Sequence, residues 1–240
     1  MPTLEEARTQ VAFANRFLAN EGVLDAFGHV SMRHPFDHER YLLGRSRSPA
    51  LIHSDDVMEF TLDSQPVVPP TGFMYGERVI HGEIYRMRPD VHAVCHHHSR
   101  AVMPFCISGA QLRPVDHLGA TMGTTVPFWD QRDEFGDTDL IVATAEEGRS
   151  LAHALGPHWL VLMRRHGATV VGTSIQEMAF RAVFSCRNAE MQREAQMLGG
   201  ANWLTETEIQ KASAFNLEPR PVARAWEYWT TRLQQFESRG

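Results

Sequence analysis

Cysteine, long apolar runs and clusters of basic residues are all scarce in this sequence. The 240 residues include 3 cysteines and no C-x-x-C pair, a sparse and odd-numbered set that argues against a disulfide scaffold and favours a reducing compartment. No stretch reaches the roughly 20 apolar residues that span a bilayer. We therefore expect neither a disulfide framework nor a membrane-spanning helix.

Basic charge is also in short supply. Lys and Arg number 23 against 29 Asp and Glu, the formal net charge is −6, and no Lys/Arg-rich run occurs. Nucleic acids and anionic membranes are bound through basic patches, so the sequence predicts neither as a partner. The first six residues are acidic and helical in character, unlike a secretory signal. We expect a cytoplasmic protein.

Histidine is the unusual component of an otherwise ordinary globular composition. Apolar residues make up 43% of the chain, charged residues make up 22%, and there are 13 histidines. The length suits one α/β domain with a single core, extended by C-terminal helices at about residues 203–240. Because histidine ligates metals and titrates near neutral pH, its abundance favours a metal or proton-transfer role.

The helix and strand patterns can be placed along the chain. Thr3 and Glu6 form a capping-box pattern before an amphipathic helix that runs to residue 20. Residues 51–52 are a short strand candidate, and a helix is expected from about 75 to 88. A last helix from about residue 221 should pack on the body of the protein or on a neighbouring subunit. Its apolar face consists of Val222, Trp226, Trp229, Leu233 and Phe236.

A strand-like stretch, residues 91–99, contains three consecutive histidines, His96, His97 and His98. Alternate side chains of a strand share a face, so His96 and His98 project together and His97 points the other way. Two imidazoles on a rigid backbone supply two ligands of a metal site when a third arrives from elsewhere. A polar strand end with solvated histidines fits the same pattern.

Two distant segments offer further ligands. His166 follows a predicted buried strand and precedes a glycine, which suits it as a third ligand. Glu77 lies near the start of the predicted helix at 75–88, with His81 four residues later. Three neutral imidazoles hold a divalent ion and leave positions open for substrate, and the carboxylate would be a fourth ligand or a proton carrier. A structural Glu77, favoured by the helix dipole, is the alternative.

A loop with two arginines is a candidate anion-binding element. Residues 44–49 combine Arg45 and Arg47 with Ser46, a set suited to holding a carboxylate or a phosphate. His29 lies on a predicted strand whose polar face could line the same site. A solvated loop and a simple polar strand face fit these residues as well.

In this order, the motifs resemble the class II aldolase/adducin family. The resemblance rests on the helix with Glu77, on H-G-E-I-Y at 81–85, on R-P-D at 88–90, on the H-x-H strand and on R-H-G at 165–167. It covers about residues 5–200. The ordered combination is far more specific than any single motif.

The resemblance implies a three-layer α/β/α fold with a central, mainly antiparallel sheet, and a cyclic homotetramer with active sites at subunit interfaces. By position, His96, His98 and His166 match the family's metal ligands, and Glu77 matches its catalytic acid/base. The adducin branch lacks these ligands, so their presence favours an enzyme. One divalent ion per subunit is implied, manganese or zinc, with cobalt and iron also suited to such a site.

Departures from the sugar-phosphate aldolases indicate the substrate class. Those enzymes use Asn where this sequence has His29, a Ser-Ser pair where it has residues 75–76, and a tyrosine where it has Leu118. The phosphate-binding positions are therefore altered. Residues 25–31 and 45–49 are more similar to the decarboxylase branch, which acts on hydroxylated aromatic or pyridine carboxylates.

The sequence therefore predicts a divalent-metal-dependent decarboxylase of a hydroxylated aromatic or heteroaromatic carboxylic acid. Decarboxylation and retro-aldol cleavage both leave a carbanion beside an oxygen that a divalent ion can bind. Glu77 is the first candidate for proton transfer and His81 the second, while His29, Ser46 and Arg47 would orient the small-molecule carboxylate. A class II aldolase or epimerase on a sugar-type substrate and a non-catalytic scaffold are the alternatives.

Overall fold

A sheet of seven strands forms the centre of the computed structural model, which describes residues 2–70 and 72–238. The strands are β1 (His29–Arg33), β2 (Arg40–Gly44), β3 (Val57–Thr61), β4 (Ala93–His97), β5 (Phe128–Trp129), β6 (Leu160–Met163) and β7 (Gly167–Gly172). The helices are α1 (Leu4–Asn20), α2 (Arg78–Met87), α3 (Met103–Ser108), α4 (Arg132–Phe135), α5 (Ala145–Leu155), α6 (Ile175–Met197), α7 (Glu206–Asn216) and α8 (Pro219–Glu237).

The sheet is mainly antiparallel, as predicted. Its strand order is β3-β2-β1-β4-β7-β6-β5, and the β5–β6 pair is the parallel one. The central strand β4 pairs with β1 on one side and β7 on the other, so His96 lies opposite both His29 and Thr169. Residues from three distant parts of the sequence therefore meet across neighbouring strands.

Helices cover both faces of the sheet, which confirms the three-layer α/β/α prediction. One core lies between the sheet and helices α1, α6 and α8, where Phe17 and Ala179 are buried. The other lies between the sheet and helices α2 and α5, where Ile80 and Leu151 are buried. Because both faces are covered, strands β1, β4, β6 and β7 are buried along their whole length.

The capping prediction for α1 is confirmed. The Thr3 hydroxyl accepts a hydrogen bond from the Glu6 N–H at 3.2 Å, and the Glu6 carboxylate accepts one from the Thr3 N–H at 2.7 Å. These bonds satisfy two backbone donors that the first turn of a helix leaves free.

Two boundary predictions are wrong. Residues 51–52 do not form a strand, since Pro49–Leu51 is a turn of 3-10 helix, begun by a proline whose fixed φ suits a first helical position. Helix α2 begins at Arg78 rather than near residue 75. Tyr75 is held in the preceding loop, where its hydroxyl donates a hydrogen bond to the Arg47 carbonyl.

Helix α8 packs on the body of the protein through its predicted apolar face. The Trp229 ring is 1% exposed and stacks on Phe17 with centroids 5.6 Å apart, and Trp226 meets the same ring edge-on at 5.1 Å. Phe236, at the far end of that face, is 67% exposed.

The division into one domain with a C-terminal extension stays a prediction. Among the described residues, no helix is both long and apolar enough to cross a membrane.

Candidate active site

Three imidazole rings converge at one end of the central strand. The His98 Nε2 atom lies 3.0 Å from His96 Nε2 and 3.1 Å from His166 Nε2. Two nitrogen ligands at about 2.1 Å from a shared ion would be about 3.0–3.4 Å apart at bond angles of about 90–110°. The three nitrogens therefore fit a single divalent cation.

The fold positions these rings through strand alternation and a close glycine contact. His96 in β4 and His98, which directly follows the last residue of the strand, project to the same side, while His97 projects to the other side, where its Nδ1 accepts from the Ser99 N–H at 3.3 Å. His166 comes from the β6–β7 turn. A Cβ on the next residue, Gly167, would lie 2.2 Å from the His97 carbonyl oxygen, so only glycine lets β7 approach closely enough to bring His166 to the cluster.

Glu77 completes a group of four potential ligands. Its carboxylate oxygens lie 3.5 Å from His96 Nε2 and 3.3 Å from His166 Nε2, and one of them accepts from the Val142 N–H at 3.2 Å. As the N-cap residue of α2, Glu77 is aimed at the cluster by the start of the helix. Burial raises its pKa, and His166 partly opposes that rise.

The electrostatic setting favours the form of histidine that binds metals. Burial lowers the pKa of His96 well below its ordinary value and also lowers the pKa of His98 and His166. The three rings are therefore neutral at pH 7, and each has a lone pair to offer. The Thr169 hydroxyl, 3.2 Å from His96 Nδ1, engages the ring nitrogen that faces away from the cluster.

A cavity of about 570 Å³ opens over the cluster, a size suited to a small organic molecule. Six of the eight residues singled out from the sequence line it: His29, Ser46, Arg47, Glu77, His98 and His166. The other two lie behind the wall, since His96 and His81 are both fully buried. The structure brings these residues together, and the roles assigned to them stay predictions.

The arginine loop is organised by a carboxylate that the sequence did not reveal. Asp56 accepts hydrogen bonds from Arg45 and, at 2.8 Å, from Arg47, while the His53 N–H donates to the same group at 2.9 Å. Burial alone would raise the pKa of Asp56, but these donors outweigh it and set the pKa at about 2. Asp56 thus fixes the position of Arg47 at the cavity wall.

Tyr75 and Arg165 are cavity residues that sequence reasoning did not assign to the site. The Tyr75 ring lies 4.6 Å from that of His29 and forms an aromatic wall. Arg165 adopts a left-handed φ of 54°, a strained conformation that clusters at functional sites. Their positions in the sequence could have indicated them, because Arg165 directly precedes a ligand candidate and Tyr75 lies two residues before Glu77.

Replacing Asp56 with asparagine is expected to destabilise the protein by about 1–2 kcal/mol at pH 7, because charge-assisted hydrogen bonds to two partly exposed arginines are lost. The folded-state pKa of Asp56 lies below its usual 3.8, so its contribution is complete above pH 4 and disappears as the pH falls towards 2. Urea unfolding over this pH range measures the difference. Asp55→Asn, at the exposed neighbouring position, is the control, and an equal effect of both variants would contradict the prediction.

Comparison with known proteins identifies relatives along most of the chain. The sequence model of the Class II Aldolase and Adducin N-terminal domain matches residues 9–193. Decarboxylase tropJ of Talaromyces stipitatus is 34% identical over 236 residues, which cover 88% of each protein. The 3,4-dihydroxyphthalate decarboxylase of Arthrobacter keyseri is 29% identical over 212 residues, which cover 81% of each.

Solved structures agree on the fold. An aldolase II superfamily protein from Pseudomonas syringae superposes with a TM-score of 0.81 at 23% identity, and the match covers 98% of this chain and 94% of that one. At this level of identity the similarity shows the architecture, while function has to be argued from the site.

Proposed function

Because this chain belongs to the class II aldolase and adducin family, we propose that it is a divalent-metal-dependent decarboxylase of a hydroxylated aromatic or heteroaromatic carboxylic acid. The observation that carries the proposal is the convergence of three imidazole nitrogens and one carboxylate beside the cavity. Relatives named as decarboxylases align over more than four-fifths of the chain, which favours loss of CO2 over release of an aldehyde.

The residues divide into metal-holding and substrate-handling groups. His96, His98 and His166 would hold the ion, which when bound supplies stabilisation of the negative charge that develops on a substrate oxygen. Glu77 lies beside the same cluster and carries the proton that returns to the ring after CO2 departs.

Three further residues of the cavity wall support a carboxylate substrate. Arg47, Ser46 and His29 line it, and an arginine holds a carboxylate through paired N–H donors. Tyr75 presents an aromatic ring in the same wall, which suits a flat substrate. Its hydroxyl is engaged by the backbone of the arginine loop.

A substrate panel tests the proposed function. We expect the purified, metal-loaded protein to release CO2 from 3,4-dihydroxyphthalate or a related hydroxyaromatic acid, and to release no aldehyde from sugar phosphates. Removal of metal by a chelator should abolish the activity, and adding back manganese or zinc should restore it. Full activity after metal removal, or aldehyde release alone, would contradict the proposal.

Replacing Arg47 with glutamine is expected to raise KM for the carboxylate substrate by roughly 10- to 100-fold, the effect of losing a charge-assisted hydrogen bond. The value of kcat should change less, because Arg47 binds the substrate in the ground state as well as in the transition state. Steady-state kinetics measures KM and kcat separately and so checks both expectations. Arg193→Gln, at an exposed position on α6, is the control, and an unchanged KM for Arg47→Gln would count against this role.

We also propose a homotetramer whose subunit contacts lie near the cavity mouth. Phe27 is 70% exposed at the cavity and Phe73 is 88% exposed beside the arginine loop, an apolar surface that a second subunit would cover. Light scattering should give four times the chain mass, and Phe73→Glu should lower it. A monomeric wild-type protein would overturn this part of the proposal.

A further inference from the structure

A chain of hydrogen-bonded side chains runs from the cavity wall into the interior. His29 Nδ1 lies 2.6 Å from His81 Nε2, and His81 Nδ1 lies 2.6 Å from the Ser31 hydroxyl. The Ser31 hydroxyl in turn lies 2.7 Å from the Tyr85 hydroxyl. All four side chains are buried, so the polar atoms that face away from the cavity must find their hydrogen-bond partners among one another.

Tyr85 determines the direction of hydrogen-bond donation along these four side chains. Among the described residues, the Ser31 hydroxyl is the one side-chain hydrogen-bond partner of the Tyr85 hydroxyl, and the Val94 backbone, which also engages it, lowers its pKa and therefore acts as a donor. Burial raises the pKa of Tyr85, so the phenol keeps its proton and must donate it to the Ser31 oxygen. The opposite direction would leave a buried phenol proton without an acceptor, which is costly.

The positions of the Ser31, His81 and His29 protons follow from that of the Tyr85 proton. Ser31 has a single hydroxyl proton, and with its oxygen accepting from Tyr85 it donates that proton to His81 Nδ1. A neutral histidine with an accepting Nδ1 carries its proton on Nε2, and burial lowers the pKa of His81 to about 3, so His81 is neutral. His81 Nε2–H therefore donates to His29 Nδ1, and the proton of His29 resides on Nε2.

We propose that His81 is a positioning residue that fixes the tautomer of His29, so that His29 presents an N–H donor to the substrate carboxylate. This role rests on the proposed function for the identity of the substrate. A carboxylate offers acceptors only, so the opposite tautomer, with a lone pair on Nε2, would repel it. The two histidines thus have separate roles: His29 contacts the substrate, and His81 lies behind His29 and holds it in one tautomer.

Neutron diffraction from deuterated crystals of the zinc-loaded protein tests the tautomer directly. We expect deuterium on Nε2 of both His29 and His81, and on the Tyr85 hydroxyl along its line to Ser31. Deuterium on Nδ1 of either histidine would overturn the inference. The measurement needs no substrate, so it stands whether or not the protein is a decarboxylase.

Two variants test the consequence for substrate binding. His81→Gln retains an amide N–H in place of the imidazole Nε2–H, whereas His81→Leu removes the donor from a similar volume. With 3,4-dihydroxyphthalate we expect KM to rise roughly tenfold or more for His81→Leu, to stay within about threefold for His81→Gln, and kcat to change less than KM. Equal losses in both variants would overturn the role. No CO2 release by the wild-type protein would contradict the proposed function instead and leave the deuterium positions to decide.

Discussion

Replacing His98 with alanine is expected to lower the bound metal to well below one ion per chain and to reduce decarboxylation by about a thousandfold or more. His98 Nε2 lies 3.0 Å from His96 Nε2 and 3.1 Å from His166 Nε2, so its removal leaves a site with two imidazoles. A bound cation contributes several kcal/mol of charge stabilisation, and each 1.36 kcal/mol is tenfold in rate. Metal analysis and CO2 release are the two measurements.

The fold should survive this change, which makes the experiment interpretable. His98 is only partly buried at the cavity, so alanine removes ligand atoms and no core packing. His117→Ala is the matched control, because the His117 side chain is 70% exposed and lies outside the cluster. A His98→Ala protein with a full metal complement and wild-type turnover would refute the metal site.

The parts of the site that depend on local geometry were predictable from the sequence. Strand alternation alone places His96 and His98 together and His97 apart. The capping box at Thr3 is equally local, since its hydrogen bonds span three residues. Glu77 and His166, by contrast, were assigned to the metal site from their chemical type and from the resemblance to a family, because sequence spacing does not show which strand ends meet.

The contacts that depend on tertiary packing could not be predicted from the sequence. His81 was the second candidate for proton transfer, a role that stays a prediction, and α2 directs it towards β1, behind the cavity wall, where it contacts His29 and Ser31. Tyr85, one turn further along the same helix, is joined to His81 through the Ser31 hydroxyl. Whether these two side chains reach Ser31 depends on how α2 packs across the sheet, which no local pattern records.

Asp56 shows the same limit for the substrate wall. The two arginines of the loop were visible as anion-binding candidates, but the carboxylate that orders them belongs to a 3-10 turn, Ser54–Asp56, several residues later. An acidic residue at such a turn is common on protein surfaces. Only the fold shows that this one lies beneath Arg47 and holds it at the cavity.

Replacing Glu77 with glutamine is expected to lower kcat by roughly 10²- to 10⁴-fold, the range for loss of a general acid or base. Glutamine has nearly the same shape and keeps an oxygen that can accept from the Val142 N–H, as the carboxylate does at 3.2 Å. It cannot deliver a proton to the substrate. Because three imidazoles remain, we expect metal content to stay near one ion per chain, and parallel metal and rate measurements check both statements.

The control and the metal analysis separate the two roles open to Glu77. Glu83, a buried carboxylate within α2, lies beside Arg86 and Arg149 and does not line the cavity, so Glu83→Gln should keep turnover within about twofold. If Glu77→Gln loses metal in proportion to activity, the carboxylate is a ligand rather than the proton carrier. If it keeps both metal and wild-type kcat, Glu77 has neither role. Only loss of turnover with the metal retained supports proton transfer, because three nitrogen ligands suffice to hold the ion and one proton must still reach the ring carbon.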